Sequence, residues 1–468
     1  MIDKNKSKKL LGRVYTPRSV VQIILDLSGY VGDFILCRHV IDNSCGNGAF
    51  LTEIVERYCA VANPRTLQFE LETYIHGIEI DKQECCCCRA RLDSVVEKYG
   101  LFNVCWDIVC ADALNVDKYD GKMDFVLGNP PYVRTHNLEY FADRVRNFRF
   151  AQIGMADLYL AFYEIGLRML SENGILGYIT PSSFFRSVAG VPLRKYLVDE
   201  KAILKIVDLG HFQVFNAITY SSIVILKKNM REHGIDVYRY DGNLHFIDIL
   251  WKENYFINNC FYFGKNEELQ KLKDIFITEK NFDLFRVKNG FATLADDFFI
   301  GYDLEFGYTI PVVKASIGKW SKCLFPYDLT SGKILPFDQL TSDEKIRSYY
   351  FQHETRLKRR SLENIDYWYG FGRSQGIKDV RKNKFAINSL VRNVEDIKLV
   401  YAPEGTGVYG GLYILTELPF EILKKILCSS NFIKYISMLG KYKNGGYYTF
   451  SSKDIKVYLE YAYQNLIS

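Results

Sequence analysis

The chain has 468 residues, 48% hydrophobic and 25% charged, which is a globular composition and excludes a disordered or fibrous chain. Sixty basic against 55 acidic residues leave a net charge of only +5, so it is no histone-like polycation, and any nucleic-acid surface must be local. The 34 Tyr, 32 Phe and 4 Trp fit an ordinary aromatic core, and also a protein that stacks on flat ligands.

The first ten residues are Lys-rich but lead into no apolar signal core, and no run reaches the ~18 apolar residues of a membrane span. Nine of the twelve cysteines precede residue 111, with no repeated spacing. In a chain of this size without a secretory signal they read as thiols of a reducing cytoplasm. Cys85–Cys88 contains one C-x-x-C, but no second pair completes a zinc site, so helix-packed thiols are expected and no metal.

In chain order, Pro17–Leu27 spaces Val20, Val21, Ile24 and Leu25 as a helix, and His39–Asn43 reads as a strand. Ala49–Tyr58 is helical, and strands follow at Tyr74–Ile80, Asp107–Cys110 and Asp124–Leu127. Asp157–Leu170 is helical, and further strands are expected at Ile175–Thr180, Leu204–Asp208 and Ser222–Leu226. Continuous apolar strands alternating with helices predict an α/β fold, a mostly parallel sheet covered on both faces, with ligands beyond the carboxyl ends of its strands. After about residue 230 the alternation stops, which sets a first domain at 1–230 and a second, mixed α+β, at 231–468.

The two parts differ in charge. Residues 1–230 hold 27 basic against 26 acidic side chains, and 231–468 hold 33 against 29. Within the second part, 351–390 alone has 9 against 4, interleaved with Tyr367, Trp368, Tyr369 and Phe371, and 311–323 carries three lysines and no acid. A solvated face and a nucleic-acid surface both fit that mix.

Four motifs carry chemistry. Asp42-Asn43-Ser44-Cys45-Gly46-Asn47-Gly48 is a strand end, a Gly-containing turn and a helix start, where backbone approaches a ligand closely. Glu79, at the next strand end, suits ribose hydroxyls, while Asp81 suits a helix N-cap. Asp112 follows the third strand and can accept from an adenine amino group, or act as a cap. Three acid-bearing strand ends in order describe an adenosine pocket. Asn129-Pro130-Pro131-Tyr132 then follows an apolar strand, and its two prolines make a rigid turn.

That turn behind a Gly-rich adenosine loop resembles the S-adenosylmethionine-dependent amino methyltransferases. The order also matters: Val14-Tyr15-Thr16-Pro17, then the Gly loop, then Asn-Pro-Pro-Tyr, then a long C-terminal region. It resembles the gamma group of DNA adenine methyltransferases, Taq-type and Eco57I-type. Ala156-Asp157-Leu158-Tyr159, Gly174–Pro181 and Phe212-Gln213-Val214-Phe215-Asn216-Ala217 continue the likeness. Lys288–Thr293 and Gly370–Gly376 resemble, more loosely, the target-recognition domains of such enzymes.

The resemblance implies a Rossmann-like S-adenosylmethionine domain followed by a DNA target-recognition domain. It implies transfer of a methyl group to the 6-amino group of adenine, flipped out of duplex DNA, in a restriction-modification system or as an orphan mark. Asn129 and the Pro130 carbonyl would accept the amino hydrogens within the Asn129–Tyr132 turn, and Tyr132 and Phe215 would stack on the base, with Phe212 as the competitor. Tyr15, Thr16, Asp42, Cys45, Gly46, Gly48, Glu79, Ile80, Asp112, Ala113 and Asn129 would line the cofactor. Lys314, Lys319, Arg356, Arg359, Arg360, Trp368, Arg373 and Gln375 are the candidate DNA contacts. About ten residues precede the Tyr-Thr-Pro region, so a cognate nuclease is expected on a separate chain or not at all. The alternatives are methylation of an RNA adenine, a cytosine 4-amino group or a protein glutamine, and a catalytically idle specificity subunit.

Overall fold

The computed structural model describes residues 15–134, 142–215, 219–278, 284–362 and 364–467. Val14, Asn216 and Ala217 of the motifs above lie outside them. The chain divides into two compact units, Met1–Gln270 and Lys271–Ser468.

The first unit is built on one nine-stranded sheet. Its strands are β1 (Val40–Asp42), β2 (Ile75–Glu79), β3 (Asp107–Cys110), β4 (Met123–Gly128), β5 (Leu170–Pro181), β6 (Ile203–Asp208), β7 (Ser221–Lys227), β8 (Ile235–Tyr240) and β9 (Leu244–Leu250), in spatial order β3-β2-β1-β4-β5-β7-β6-β8-β9. β3 through β5 run parallel, and β7 is antiparallel to both of its neighbours. All seven strands expected from the apolar runs are present. The order reverses between β1 and β4, which opens a crevice at their carboxyl ends.

Helices α1 (Arg18–Leu27), α2 (Ala49–Val61), α3 (Leu67–Tyr74), α4 (Lys82–Val96) and α5 (Leu158–Met169) belong to this unit. α1 buries the stripe read from the sequence, Val20, Val21, Ile24 and Leu25. Pro17, with its fixed φ, stands at its N-cap. α4 carries the cysteine run with Cys85 and Cys88 buried and Cys86 and Cys87 exposed, the spacing of one helical face.

The expected break after residue 230 falls inside this sheet. β8 pairs parallel with β6 and β9 closes the hairpin, so the compact unit ends at Gln270, about forty residues later. The cause is legible in β9: Leu244, Phe246 and Ile249 are exposed on an edge strand, which hides the apolar run that marks an interior one.

The second unit is mixed α+β. One four-stranded sheet joins residues 286–289, 412–415, 384–387 and 399–402, and another joins 300–301, 319–324, 309–314 and 407–409. Its core is aromatic, with Phe291 stacked on Phe371 at 4.6 Å and on Tyr409 at 6.0 Å.

Candidate active site and recognition surface

The polar turn after β1 is stitched to the end of β2. The Cys45 N–H donates to the Ile78 carbonyl (2.9 Å) and the Gly46 N–H to Glu79 Oε2 (3.0 Å). Glu79 Oε1 accepts from the Asp81 N–H (2.9 Å), and Asp81 caps α4 by accepting from the Gln83 and Glu84 N–H groups. Gly46 (φ +50°) and Gly48 (φ +86°) are left-handed, which lets the chain turn from strand to helix within a few residues.

The Asn-Pro-Pro-Tyr turn leaves β4 beside this loop. Asn129 Nδ2 donates to Thr16 Oγ1 (3.1 Å), and Ser44 Oγ donates to the Asn129 carbonyl (3.2 Å). The amide plane of Asn129 is thus set by a residue just ahead of α1, and its backbone by the β1 turn. Gly128 makes the approach possible, since a Cβ there would lie 2.6 Å from Asp42 Oδ1.

One pocket gathers Tyr15, Thr16, Asp42, Cys45, Gly46, Glu79, Ile80, Asp112, Ala113 and Asn129 with Pro130, Pro131 and Tyr132. Of the residues expected around a cofactor, only Gly48 is absent from its wall. Gly48 does another job: a Cβ there would meet Cys88 Sγ at 2.8 Å, so its lack of a side chain lets α2 start against α4. Ser44, Leu158 and Phe162 also line the pocket and were not singled out as contacts. Leu158 lies in the Ala156–Tyr159 motif, which gave the available signal.

Asp42 is fully buried and has no ion-pair partner among the described residues. Burial pushes its carboxyl up to about 7, the nearby Glu79 charge adds to this, and the Ser44 N–H (3.0 Å) opposes it. Ile80 is 49% exposed, an apolar side chain turned to open space beside the two acids. Asp112 accepts from the Leu114 N–H (3.0 Å) on one oxygen and from Arg144 Nη2 (2.8 Å) on the other.

Tyr132 donates its hydroxyl to the Ile179 carbonyl (3.0 Å), and burial raises its phenol well above the usual range. Its ring meets Phe215 edge to face, centroids 5.9 Å apart at 72°, and meets Tyr159 at 6.4 Å. The rings expected on the two faces of a base therefore touch each other as they stand, and Phe215 belongs to the buried core. Phe212 packs edge to face on Tyr240 at 4.9 Å.

In the second unit, the two looser motifs lie side by side. The Arg373 N–H donates to the Ala292 carbonyl (2.9 Å), and the Ala292 N–H returns the bond (3.1 Å). The candidate DNA contacts separate into two groups. Lys319, Arg359, Arg373 and Gln375 are exposed. Arg360 is committed elsewhere: its guanidinium donates to the carbonyls of Leu357, Thr293, Trp368 and Gly370 and lies over the Phe299 ring. Arg356 pairs with Asp297, and Lys314 sits 3.7 Å from Asp296 and over Tyr409. Trp368 is half-buried against Phe337, while Tyr367 and Trp320 are exposed. Charge counting could not separate these groups, because Arg360 is held by neutral carbonyls and the carboxylates that face Arg356 and Lys314 belong to another stretch of the sequence.

A doubly wound sheet with a Gly loop, acids at successive strand ends and Asn-Pro-Pro-Tyr after β4 defines a Rossmann-like methyltransferase domain. Residues 75–215 match the family model of the Eco57I restriction-modification methylase, so this stretch carries an Eco57I-type methylase domain. It is 27% identical over 428 residues to the type II methyltransferase M.BstVI of Geobacillus stearothermophilus, covering 78% of this chain and 74% of that one. With M.XhoI of Xanthomonas vasicola it shares 31% identity over 232 residues, 46% of this chain and 42% of the relative. The fold is that of the type IIL restriction-modification enzyme MmeI solved in complex with DNA, with a TM-score of 0.61 at 13% identity over 96% of this chain and 66% of that one. The chain thus spans about three quarters of one of these relatives and less than half of the other. Among the described residues no helix is long and apolar enough to cross a membrane, and no cluster of His, Cys, Asp and Glu suits a metal.

Proposed function

We propose that this chain methylates the 6-amino group of adenine at a specific site in duplex DNA, with S-adenosylmethionine as donor. The first unit is the catalytic part, and the second, within the 231–468 region, reads the target. The observation that carries this reading is the position of Asn129: its amide is fixed by Thr16 in the same pocket as Glu79, Ile80 and Asp112.

The pocket suits the cofactor. Asp42 is a buried carboxyl with no cationic partner among the described residues, which fits a ligand carrying ammonium and sulfonium charge. Ile80 offers an apolar face to a purine, and Glu79 and Asp112 offer acceptors to a ribose and an adenine amino group. When bound, S-adenosylmethionine supplies an electrophilic methyl group on sulfur.

The protein's own task is to prepare the amine. An exocyclic amine is a weak nucleophile because its lone pair is delocalised into the ring. Asn129 Oδ1 and the Pro130 carbonyl accept its two hydrogens and favour a pyramidal nitrogen, an interaction that strengthens as positive charge develops. No strong base is needed, since the methylated ammonium is acidic and sheds its proton readily. The base reaches the turn only by leaving the duplex stack, at a few kcal/mol. Stacking on Tyr132, and on Phe215 once the two rings part, returns ~1–3 kcal/mol for each face.

RM.Eco57I of Escherichia coli is named a type II restriction enzyme and methyltransferase, and a restriction-modification role for this chain calls for a cognate nuclease. Incubation of DNA with the purified chain and S-adenosylmethionine, followed by modification-aware sequencing, tests the whole proposal. One short motif with modified adenine supports it; modified cytosine, or label only in RNA or protein, overturns it.

A further inference from the structure

Arg144 lies in the short helix Ala142–Arg146 and was assigned no role by any motif. One of its nitrogens, Nη2, donates both to Asp112 Oδ2 (2.8 Å) and to the Asn115 side-chain oxygen (2.7 Å). Asp112 stands at the start of the 3-10 turn Ala113–Asn115, and its other oxygen accepts from the Leu114 N–H at 3.0 Å. The two hydrogens of one guanidinium nitrogen therefore span the first and last residues of the turn that forms this wall of the pocket. Asp112 is only part-buried, with a side-chain exposure of 20%, and without such a clamp its carboxylate could rotate about χ1 and χ2.

We propose that Arg144 is a positioning residue for cofactor selectivity, holding the Asp112 carboxylate as the acceptor that distinguishes a 6-amino purine from a 6-oxo purine. This rests on the reading of the pocket as an adenosine site. An ionised carboxylate has about four acceptor positions, so bonds from Leu114 and Arg144 leave capacity for an amino hydrogen of the ligand. A 6-oxo purine presents a carbonyl oxygen and a ring N–H in that region, and the fixed carboxylate then meets the carbonyl as one acceptor facing another. Rejection of this kind is strong only where the protein group cannot turn away. The planar guanidinium supplies the constraint, because it fixes direction as well as charge.

The test is binding, with no turnover. Dissociation constants for S-adenosylhomocysteine and S-inosylhomocysteine are measured by calorimetry on the full chain, for wild type, Arg144→Ala and Arg144→Lys. Wild type should prefer the adenosine ligand, and Arg144→Ala should cut that preference by about tenfold or more, the scale of one hydrogen bond to a charged group. Affinity for the inosine ligand should change much less. Arg144→Lys, which restores the charge on a shorter side chain with a freely rotating ammonium, should recover only part of the preference. A merely structural role would weaken both ligands alike and leave their ratio intact, and that outcome overturns the proposal. So does tighter binding of the adenosine ligand by Arg144→Ala, which would make Arg144 an occupant of the adenine position. If wild type binds neither ligand, the adenosine reading of the pocket itself fails.

Discussion

Asp42→Asn tests the electrostatic logic of the pocket. In the ligand-free protein, burial holds the Asp42 carboxyl near 7, against an ordinary value of 3.8. That difference corresponds to about 4 kcal/mol, the most that ionising this side chain can cost the folded state. Because the folded value is raised, the protein is most stable where the group is protonated in both states, below about pH 4. Stability is lost as pH rises through about 7 and stays level above it. Between pH 5 and pH 8 the loss from this one group is about 2.5–3 kcal/mol. Asn keeps the oxygen that accepts the Ser44 N–H but has no such titration. Urea unfolding of ligand-free wild type and Asp42→Asn at pH 5 and pH 8 reads the effect: the variant should gain on wild type as pH rises. A cationic ligand reverses the preference, so wild-type affinity for S-adenosylmethionine should rise by up to about tenfold per pH unit below 7, while the variant binds weakly and with little pH dependence. Parallel stability profiles for the two proteins would refute the assignment of Asp42 as an acid whose carboxyl is raised by burial.

Substitutions at Asn129, Gly48, Arg373 and Arg360 probe separate parts of the molecule. Asn129→Ala should lower methyl transfer to DNA by about 10²–10³-fold or more while calorimetry still detects cofactor binding; near-normal turnover would remove Asn129 from its role. Gly48→Ala should destabilise the first unit by about 1–3 kcal/mol, because φ is +86° and the new methyl meets Cys88 Sγ. Cys88→Ala in the same chain should restore part of that loss in denaturant melts, and no restoration would leave the clash argument wrong. Arg373→Ala should weaken DNA binding or relax its sequence preference, by about 1–3 kcal/mol for a base contact, with cofactor affinity unchanged. Arg360→Ala should instead lower the melting temperature of the second unit, since four carbonyls lose a common donor; an unaltered melt with weaker DNA binding would return Arg360 to the DNA surface.

The first unit was legible because its signals are local. β1, β2 and β4 are short apolar runs, and an acid or amide that lines the pocket stands at or just past the end of each: Asp42, Glu79 and Asn129. The limits were also physical. β5 begins at Leu170, ahead of the expected Ile175, because the surplus residues 171–174 bulge out of β5 and let Leu170 pair with Met123. The clamp of Arg144 on Asp112, and the brace of Arg360 on Thr293 and Trp368, join residues that no periodicity relates. In the second unit, 286–289 pairs with 412–415, so neither strand is recognisable without the other. The aromatic excess proved to be mostly core there, with Phe291, Phe371 and Tyr409 stacked in its interior.

The hairpin of β8 and β9 governs how the first unit can be cut free. β6 lies between β7 and β8, so a fragment ending at residue 230 strips one side of β6 and turns its unpaired peptide groups to solvent. Such a bare edge recruits other strands and drives aggregation. A fragment carried through Gln270 retains the hairpin as a selvedge and is the piece to express for crystallography, for domain exchange between relatives, or as a scaffold onto which another reading module is grafted.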